Sequence, residues 1–291
     1  MSKDTWIADS YAKINLGLHV LERLPTGYHN IESGFCFLEW RDHFEVRQAS
    51  EMKIKLSDES IPVDESNLIN RAIAILDRYV GLKHNYLFKV DKRIPAGAGL
   101  GGGSSNAALT LRMLNKIEEL GLNDDELIDL SHDLGADVPF FVKGKTGVAR
   151  GIGHEIEEID LQPDYWIVTC FPNVASSTAE AYQYCTPNPE PDFDLRKTLT
   201  ENEIEEWRYM LVNDLESAVF PRIHVSGNLK DQMYEFGAVY ASMTGSGSAV
   251  YGIFEQDFVA TNAYQGFLQL NLPSNLTRPR FKPDYGIYRK G

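Results

Sequence analysis

The stretch YLFKVDKRIPAGAGLGGGSSNAALTLRMLNKI at 86–117 constrains the fold of this chain more than any other. A strand pattern enters it and Pro95 stiffens the exit. Gly97, Gly99, Gly101, Gly102 and Gly103 follow, and Ser104 and Ser105 then open a helix. Glycine carries no β-carbon, so backbone N–H groups approach an anion closely and a positive φ costs little. The first N–H groups of the new helix lack intrahelical acceptors, and the positive end of its dipole faces the same point. A phosphate is the ligand such a junction favours. The two serine hydroxyls can cap the helix, bond a phosphate or hold a magnesium ion. Ala107 and Ala108 are small enough for tight packing behind the loop. The plain alternative is a glycine turn with no ligand, and the strand–loop–helix context weighs against it.

The loop satisfies the dinucleotide pattern GxGxxG at GAGLGG, but that pattern alone has little specificity. A dinucleotide fold would place it in an opening βαβ unit with an acid at the tip of the next strand. Here strand-rich sequence precedes it, and Glu118 and Glu119 fall at the end of the helix. No lysine follows the glycines before Ser104, which excludes a Walker A loop. A protein-kinase loop leads into a strand with a lysine, whereas a helix follows here.

The chain has 291 residues, a length at which single cores give way to two domains. A soft boundary falls near residue 160. The net charge of −14 argues against nucleic-acid binding, which wants a clustered basic face. A pocket in an acidic protein can still be locally positive. Cys36, Cys170 and Cys185 have no metal-like spacing and fit reduced thiols. No long apolar run and no signal-like start is present, so a cytoplasmic protein without membrane association is expected.

Strands are expected at 12–20, 35–44, 86–90, 138–142, 165–171, 238–243 and from Val250. Helices are expected after Asn67, from Ser104 to Leu120, at 123–134, around 201–219 and at 228–236. Asn123 with Glu126 reads as a capping box, and Gly135 as the stop of that helix. The segment PNPEPDFD at 187–194 is a loop by composition, and the tail RPRFKPDYG reads as an extended surface segment.

Other residues carry two readings each. Asp137, in LGADVPFF, lies after a helix among apolar neighbours, where poor hydration would raise its basicity toward an alcohol proton. It is equally a turn or helix-terminal aspartate. Lys13 interrupts Ala12, Ile14 and Leu16, and strand alternation allows it to face solvent. Tyr28 and His29 follow a glycine turn and can stack on and bond a nucleobase, or simply pack. TGSGS at 244–248 is a second glycine turn or a plain hairpin.

The run PAGAGLGGGSSNAA resembles the ATP loop of the GHMP kinases, whose pattern is roughly Pro-x-x-x-Gly-Leu-Gly-Ser-Ser-Ala-Ala. Its Gly-Gly-Gly-Ser-Ser-Asn-Ala-Ala form is similar to one branch, which acts on a cytidyl-diphosphate derivative of methylerythritol in isoprenoid precursor synthesis. YAKINLGLHVLERLPTGYHNI, LGADVPFFVKG and MTGSGSAVYGIF match that branch as well. With ARGIGHEI, STAEAY and NDLESAVF, the resemblance spans nearly the whole chain in order.

The resemblance implies a two-domain α/β (α+β) fold. Residues 1–160 would form the ATP-loop domain and 161–291 a ferredoxin-like substrate domain. It implies ATP with Mg²⁺, and transfer of a phosphoryl group to the acceptor's 2-hydroxyl. Pro95, Ala96, Gly97, Ala98, Gly99, Leu100, Gly101, Gly102, Gly103, Ser104 and Ser105 would hold the phosphates, with Asn67 and Lys92 near the adenosine. No metal ligand is fixed by the sequence; Mg²⁺ would arrive with ATP, with Ser105 a candidate oxygen. Asp137 would be the base and Lys13 its support. Tyr28 and His29 would hold cytosine, with Tyr182, and Thr178 before it, on the other side. Asn15 would contact the erythritol hydroxyls, and Gly245, Ser246 and Gly247 would form a turn near the substrate. A monomer or a homodimer fits. The alternatives are a mevalonate- or homoserine-type member, a non-catalytic nucleotide binder of the same fold and, more distantly, a dinucleotide oxidoreductase.

Overall fold

The opening strand organises the molecule. The computed structural model describes residues 4–161 and 164–290; residues 1–3, 162–163 and 291 lie outside it, and with them the outer ends of both expected domains. Strand β1 (Thr5–Arg23) is buried at every position from 10 to 20, on both faces. It pairs with β2 (His29–Ala49), and the hairpin is followed by β3 (Lys53–Leu56), α1 (Leu68–Val80) and β4 (Asn85–Asp91). Helices α2 (Gly102–Ile117), α3 (Asp124–Ser131) and α4 (Val138–Lys143) come next, then β5 (Gly147–Arg150) and β6 (Glu155–Glu158). One apolar core joins Phe35, Phe37 and Phe88 of the strands to Ile73, Leu111 and Phe140 of the helices.

The second half begins with β7 (Trp166–Cys170) and α5 (Thr178–Tyr184), then α6 (Leu195–Glu201), α7 (Trp207–Met210), α8 (Glu216–Val219) and α9 (His224–Glu235). Strands β8 (Tyr240–Met243) and β9 (Val250–Phe254), helix α10 (Asp257–Gln269), β10 (Ser274–Thr277) and β11 (Tyr288–Arg289) complete the chain. Four of these strands form an antiparallel sheet in the order β10-β7-β9-β8, the βαββαβ arrangement of a ferredoxin-like unit. The larger sheet runs β11-β1-β2-β4-β3, with β5 paired to β2 and β6 to β5. A second core, containing Ile14, Leu16, Tyr165, Trp207 and Tyr251, seals the outer face of β1 against the second unit. Among the described residues, no helix is long and apolar enough to cross a membrane.

Several expected elements differ. The run 138–142 is helix, not strand: a fully buried apolar segment has no alternation to read. Pro139 sits in the first turn of α4, where its missing N–H costs nothing. The capping box at Asn123 and Glu126 is present with both of its bonds, but α3 ends at Ser131 rather than at Gly135. A tighter turn follows, in which Leu134 N–H donates to Ser131 O. The helical stretch around 201–219 breaks into short pieces, separated by an extended segment that bridges β1 at Leu18 and Asn213. The tail at 278–286 runs over the surface with Arg278, Arg280, Lys282 and Asp284 exposed, but it also sets Phe281 and Tyr285 on Tyr11; beyond it Ile287 is buried and β11 pairs with β1.

Candidate active site

The first and second glycine turns meet at the mouth of one cavity of about 990 Å³. Every residue from Pro95 to Ser104 lines it, as do Lys13, Asn15, Asp137 and Gly245–Gly247. The loop is held from behind through its carbonyls. Ser176 N–H donates to Gly97 O, Ala249 N–H to Ala98 O, the Thr244 hydroxyl to Gly99 O and Lys13 N–H to Leu100 O, at 3.0, 3.1, 3.2 and 3.0 Å. Each carbonyl so engaged is turned toward protein rather than toward an incoming anion. The helix begins at Gly102, two residues before Ser104, with Gly101 as a left-handed N-cap at φ +70°. A β-carbon on Gly101 would stand 2.8 Å from the Phe141 ring and 3.2 Å from Lys13 Cγ, so the cap also lets the loop lie against Lys13. Ser105 N–H already donates to Gly101 O, which leaves the N–H groups of Gly102, Gly103 and Ser104 as the unpaired first turn.

This register corrects one expectation. Ser104 lines the cavity, whereas Ser105 is buried and does not. One residue is about 100° of helical rotation, and the earlier start sends Ser105 inward. Among the described residues no cluster of three or more His, Cys, Asp or Glu side chains could hold a metal ion.

Lys13 faces the cavity rather than solvent, at 3% exposure. Its side of β1 is covered too, so alternation could not have decided the matter. The ammonium lies 3.4 Å from Asp137 Oδ2, donates to Asn15 Oδ1 at 2.5 Å and sits 4.6 Å above the Phe35 ring. Asp137 occupies the N-cap position of α4 but makes no capping bond with its side chain. Its carboxylate turns to Lys13 instead. At 30% side-chain exposure it opens to the cavity, so the poorly hydrated carboxylate expected from its apolar neighbours is not what the fold builds.

Asn15 is fully engaged. Its Oδ1 takes the Lys13 bond, its Nδ2 donates to Ser33 Oγ at 2.8 Å, and its N–H donates to Thr244 Oγ1 at 3.1 Å. It lines the cavity chiefly as the group that aims Lys13. Asn67 also reaches the cavity, with its side chain spent on capping α1 and bonding Pro62 O. Lys92 pairs with the fully buried Asp42, which also accepts from Arg93 and Ile94 N–H, so its charge belongs first to the loop's entry.

At the other end of the cavity His29 lies parallel to Tyr182, with ring centroids 5.1 Å apart and a 26° tilt. That spacing leaves no room for a third ring between them. Tyr28 stands at the rim with 62% exposure. Burial, with the Arg23 cation adding to it, holds His29 below the ordinary histidine value, which keeps its ring neutral at pH 7. Thr178 and Ser246 share a hydroxyl–hydroxyl bond of 2.7 Å. The sequence reading missed the apolar wall at Leu56, Ile61, Pro62 and Leu68, and also Arg23, Asn106, Ile152 and Gln183. Arg23, Asn106 and Ile152 lie inside runs already singled out, but nothing local marks them as lining residues; the apolar wall converges only through tertiary packing.

The chain matches the GHMP kinases N terminal domain over residues 67–145 and the GHMP kinases C terminal domain over 195–269. It is 42% identical, over 84% of this chain and 90% of the relative, to the 4-diphosphocytidyl-2-C-methyl-D-erythritol kinase of Parabacteroides distasonis. Identity to the enzyme of that name from Chlorobium limicola is 38%, over 94% and 96%. A crystal structure of 4-(cytidine 5'-diphospho)-2C-methyl-D-erythritol kinase superposes with a TM-score of 0.79 at 29% identity, covering 93% of this chain and 98% of that one. A homoserine kinase from Cytophaga hutchinsonii shares the fold, with a TM-score of 0.68 at 14% identity. The chain belongs to the GHMP kinase family, in the branch of the two 4-diphosphocytidyl-2-C-methyl-D-erythritol kinases.

Proposed function

We propose that this chain transfers the γ-phosphoryl group of ATP to the 2-hydroxyl of 4-diphosphocytidyl-2-C-methyl-D-erythritol. The observation that carries the reading is the Lys13–Asp137 pair, 3.4 Å apart, in the same cavity as the open N-terminus of α2. The unpaired N–H groups of Gly102, Gly103 and Ser104 bind the phosphates, and the apolar wall at Leu56, Ile61 and Leu68 takes the adenine. Asp137 accepts or orients the proton of the acceptor hydroxyl. Lys13 steadies that carboxylate and meets the charge of the phosphoryl group in transit. Because Asn15 and Phe35 fix the ammonium, little reorganisation is needed when that charge arrives.

Among the described residues, Asp137 is the one carboxylate lining the cavity, and the Ser104 hydroxyl lines it too. That donor set suits a Mg²⁺ carried by the nucleotide's phosphates and keeping several waters, not a caged ion. Bound there, Mg²⁺ neutralises phosphate charge. Tyr28 offers an exposed ring face to the cytosine, and the neutral His29 ring offers it a hydrogen-bond partner. Tyr182 backs His29, so the base stacks at Tyr28 rather than between His29 and Tyr182. Residues 1–160 are the proposed nucleotide domain and 161–291 the proposed substrate domain, with β11 of the latter joined to the larger sheet at β1.

Relatives of 35–42% identity carry the cytidyl name, whereas the mevalonate and homoserine kinases compared are 13–16% identical and show the fold alone. The test is phosphate transfer from ATP to the cytidyl alcohol, run beside mevalonate and homoserine. Transfer to the cytidyl alcohol alone is expected; equal transfer to either of the others would overturn the acceptor assignment.

A further inference from the structure

The second glycine turn has little conformational preference of its own. Gly245 and Gly247 both have positive φ, +55° and +76°, where glycine is freest to move. Yet the turn must be held closely. A β-carbon on Gly245 would lie 3.2 Å from both Asn15 Oδ1 and Gly99 O, so the turn is wedged between the Lys13 support and the phosphate loop. Next to it, Ser246 bonds Thr178 on the acceptor side.

The far end of the turn is held by the Ser226 hydroxyl, which donates to Ser248 O at 2.8 Å, and its Gly245 carbonyl is held by one side-chain amide from outside the cavity. Asn213 is buried at 1% exposure and does not line the cavity. Both hydrogens of its Nδ2 are spent where β8 enters the turn: one goes to Met243 O, at the end of β8, at 2.8 Å and the other to Gly245 O at 2.9 Å. Its Oδ1 accepts from Leu215 N–H at 3.1 Å. The backbone on either side of Asn213 is stitched to β1, with Leu18 N–H donating to Val212 O and Asp214 N–H to Leu18 O, at 2.8 and 2.9 Å. Asp214 Oδ2 adds a bond from Val20 N–H at 2.8 Å. The strand that carries Lys13 and Asn15 thus also sets the position of the turn, through Asn213.

We infer that Asn213 is a positioning residue for the acceptor: it fixes the Gly245–Ser246 turn, and through it the acceptor hydroxyl relative to Lys13 and Asp137. This rests on the acceptor-side reading of that turn given above. Asn213→Asp is the sharpest variant. It keeps the volume and the acceptor for Leu215 N–H, but as a carboxylate it has no hydrogen for the two buried carbonyls, and even protonated it has one, so an oxygen is set against at least one of them. Asn213→Ser, smaller and still able to donate once, gives a milder intermediate case.

The experiment measures kcat and both KM values for the wild type and the two variants, with a thermal melt of each to keep the assay well below unfolding. The expected result is an acceptor KM raised by about tenfold in Asn213→Asp and less in Asn213→Ser, with the ATP KM within about twofold. A lowered melting temperature with both KM values unchanged, or an equal rise in the two, would overturn the inference. A wild type that phosphorylates no cytidyl alcohol would overturn the acceptor reading itself, and the inference with it.

Discussion

A β-carbon placed on Gly99 would stand 2.1 Å from the carbonyl oxygen of Thr244 and 3.1 Å from Gly247 N. The phosphate loop and the second glycine turn therefore touch backbone to backbone, and Gly99 also holds φ at +76°. Gly103 differs: its absent β-carbon would meet nothing closer than Leu68 Cδ1 at 3.6 Å, inside a helix. Gly99→Ala is predicted to destabilise the fold by about 2 kcal/mol or more, through clash and strain together. Gly103→Ala should leave stability equal or up to about 1 kcal/mol higher, yet raise the ATP KM, because only a bound phosphate needs that space. Denaturant melts and ATP kinetics on the two variants separate a glycine required by packing from one required by the ligand.

Legibility followed distance along the chain. The glycine loop and the capping box at Asn123 are local demands on backbone, and local demands leave marks in composition. Lys13 could not be placed by alternation, since β1 is covered on both faces, by α2 and the C-terminal aromatic residues on one side and by the second unit on the other. Asn15 and Thr244 bond across 229 residues, and Asn213 reaches Gly245 across 32; no window of sequence contains either pair. The aromatic tail residues Phe281 and Tyr285 were hidden for a related reason. Proline spacing announces that a segment is not helical, but not that its rings enter a core.

Tyr28 is the most exposed of the site's aromatics, so its removal should spare the fold. Tyr28→Ala is predicted to raise the acceptor KM by about tenfold or more, as loss of a base–aromatic stack implies, with the ATP KM and the melting temperature unchanged. An unchanged acceptor KM would take Tyr28 out of base recognition.

His29 gives the site a pH dependence whose sign is fixed by burial. Its value is lowered from 6.5, so the unfolded chain binds the proton more readily. The cost of charging it is absent above pH 6.5 and develops as pH falls below that value. The acceptor KM should be flat at neutral and alkaline pH and rise as the solution is taken from about pH 6.5 toward about pH 5. His29→Gln should remove that rise. A wild-type acceptor KM that stays constant over the same range would contradict the neutral-imidazole role.

Glu118 closes the far end of the phosphate-binding helix α2. Its side chain, 1% exposed, accepts from Tyr86 Oη at 2.7 Å, from His84 N–H at 3.1 Å and from Lys83 N–H at 3.4 Å. Burial pushes its carboxyl up, but these donors outweigh it and hold it below the usual 4.5. Its stabilisation is present above that value and is lost as pH falls through the folded one. Glu118→Gln should cost about 1–3 kcal/mol at neutral pH, and the gap to wild type should shrink in acid. Urea melts at the two pH values check this, and a gap independent of pH would refute it.

The proposed chemistry turns on Asp137, whose carboxylate forgoes the helix cap it could make in favour of Lys13. Asp137→Asn keeps the shape and removes the base. Steady-state turnover with the cytidyl acceptor, measured beside the affinity for a non-hydrolysable ATP analogue, is the most direct test. The predicted result is a fall in kcat of about 10²- to 10⁴-fold with analogue affinity changed by no more than about threefold. Turnover within a few-fold of wild type would contradict the account.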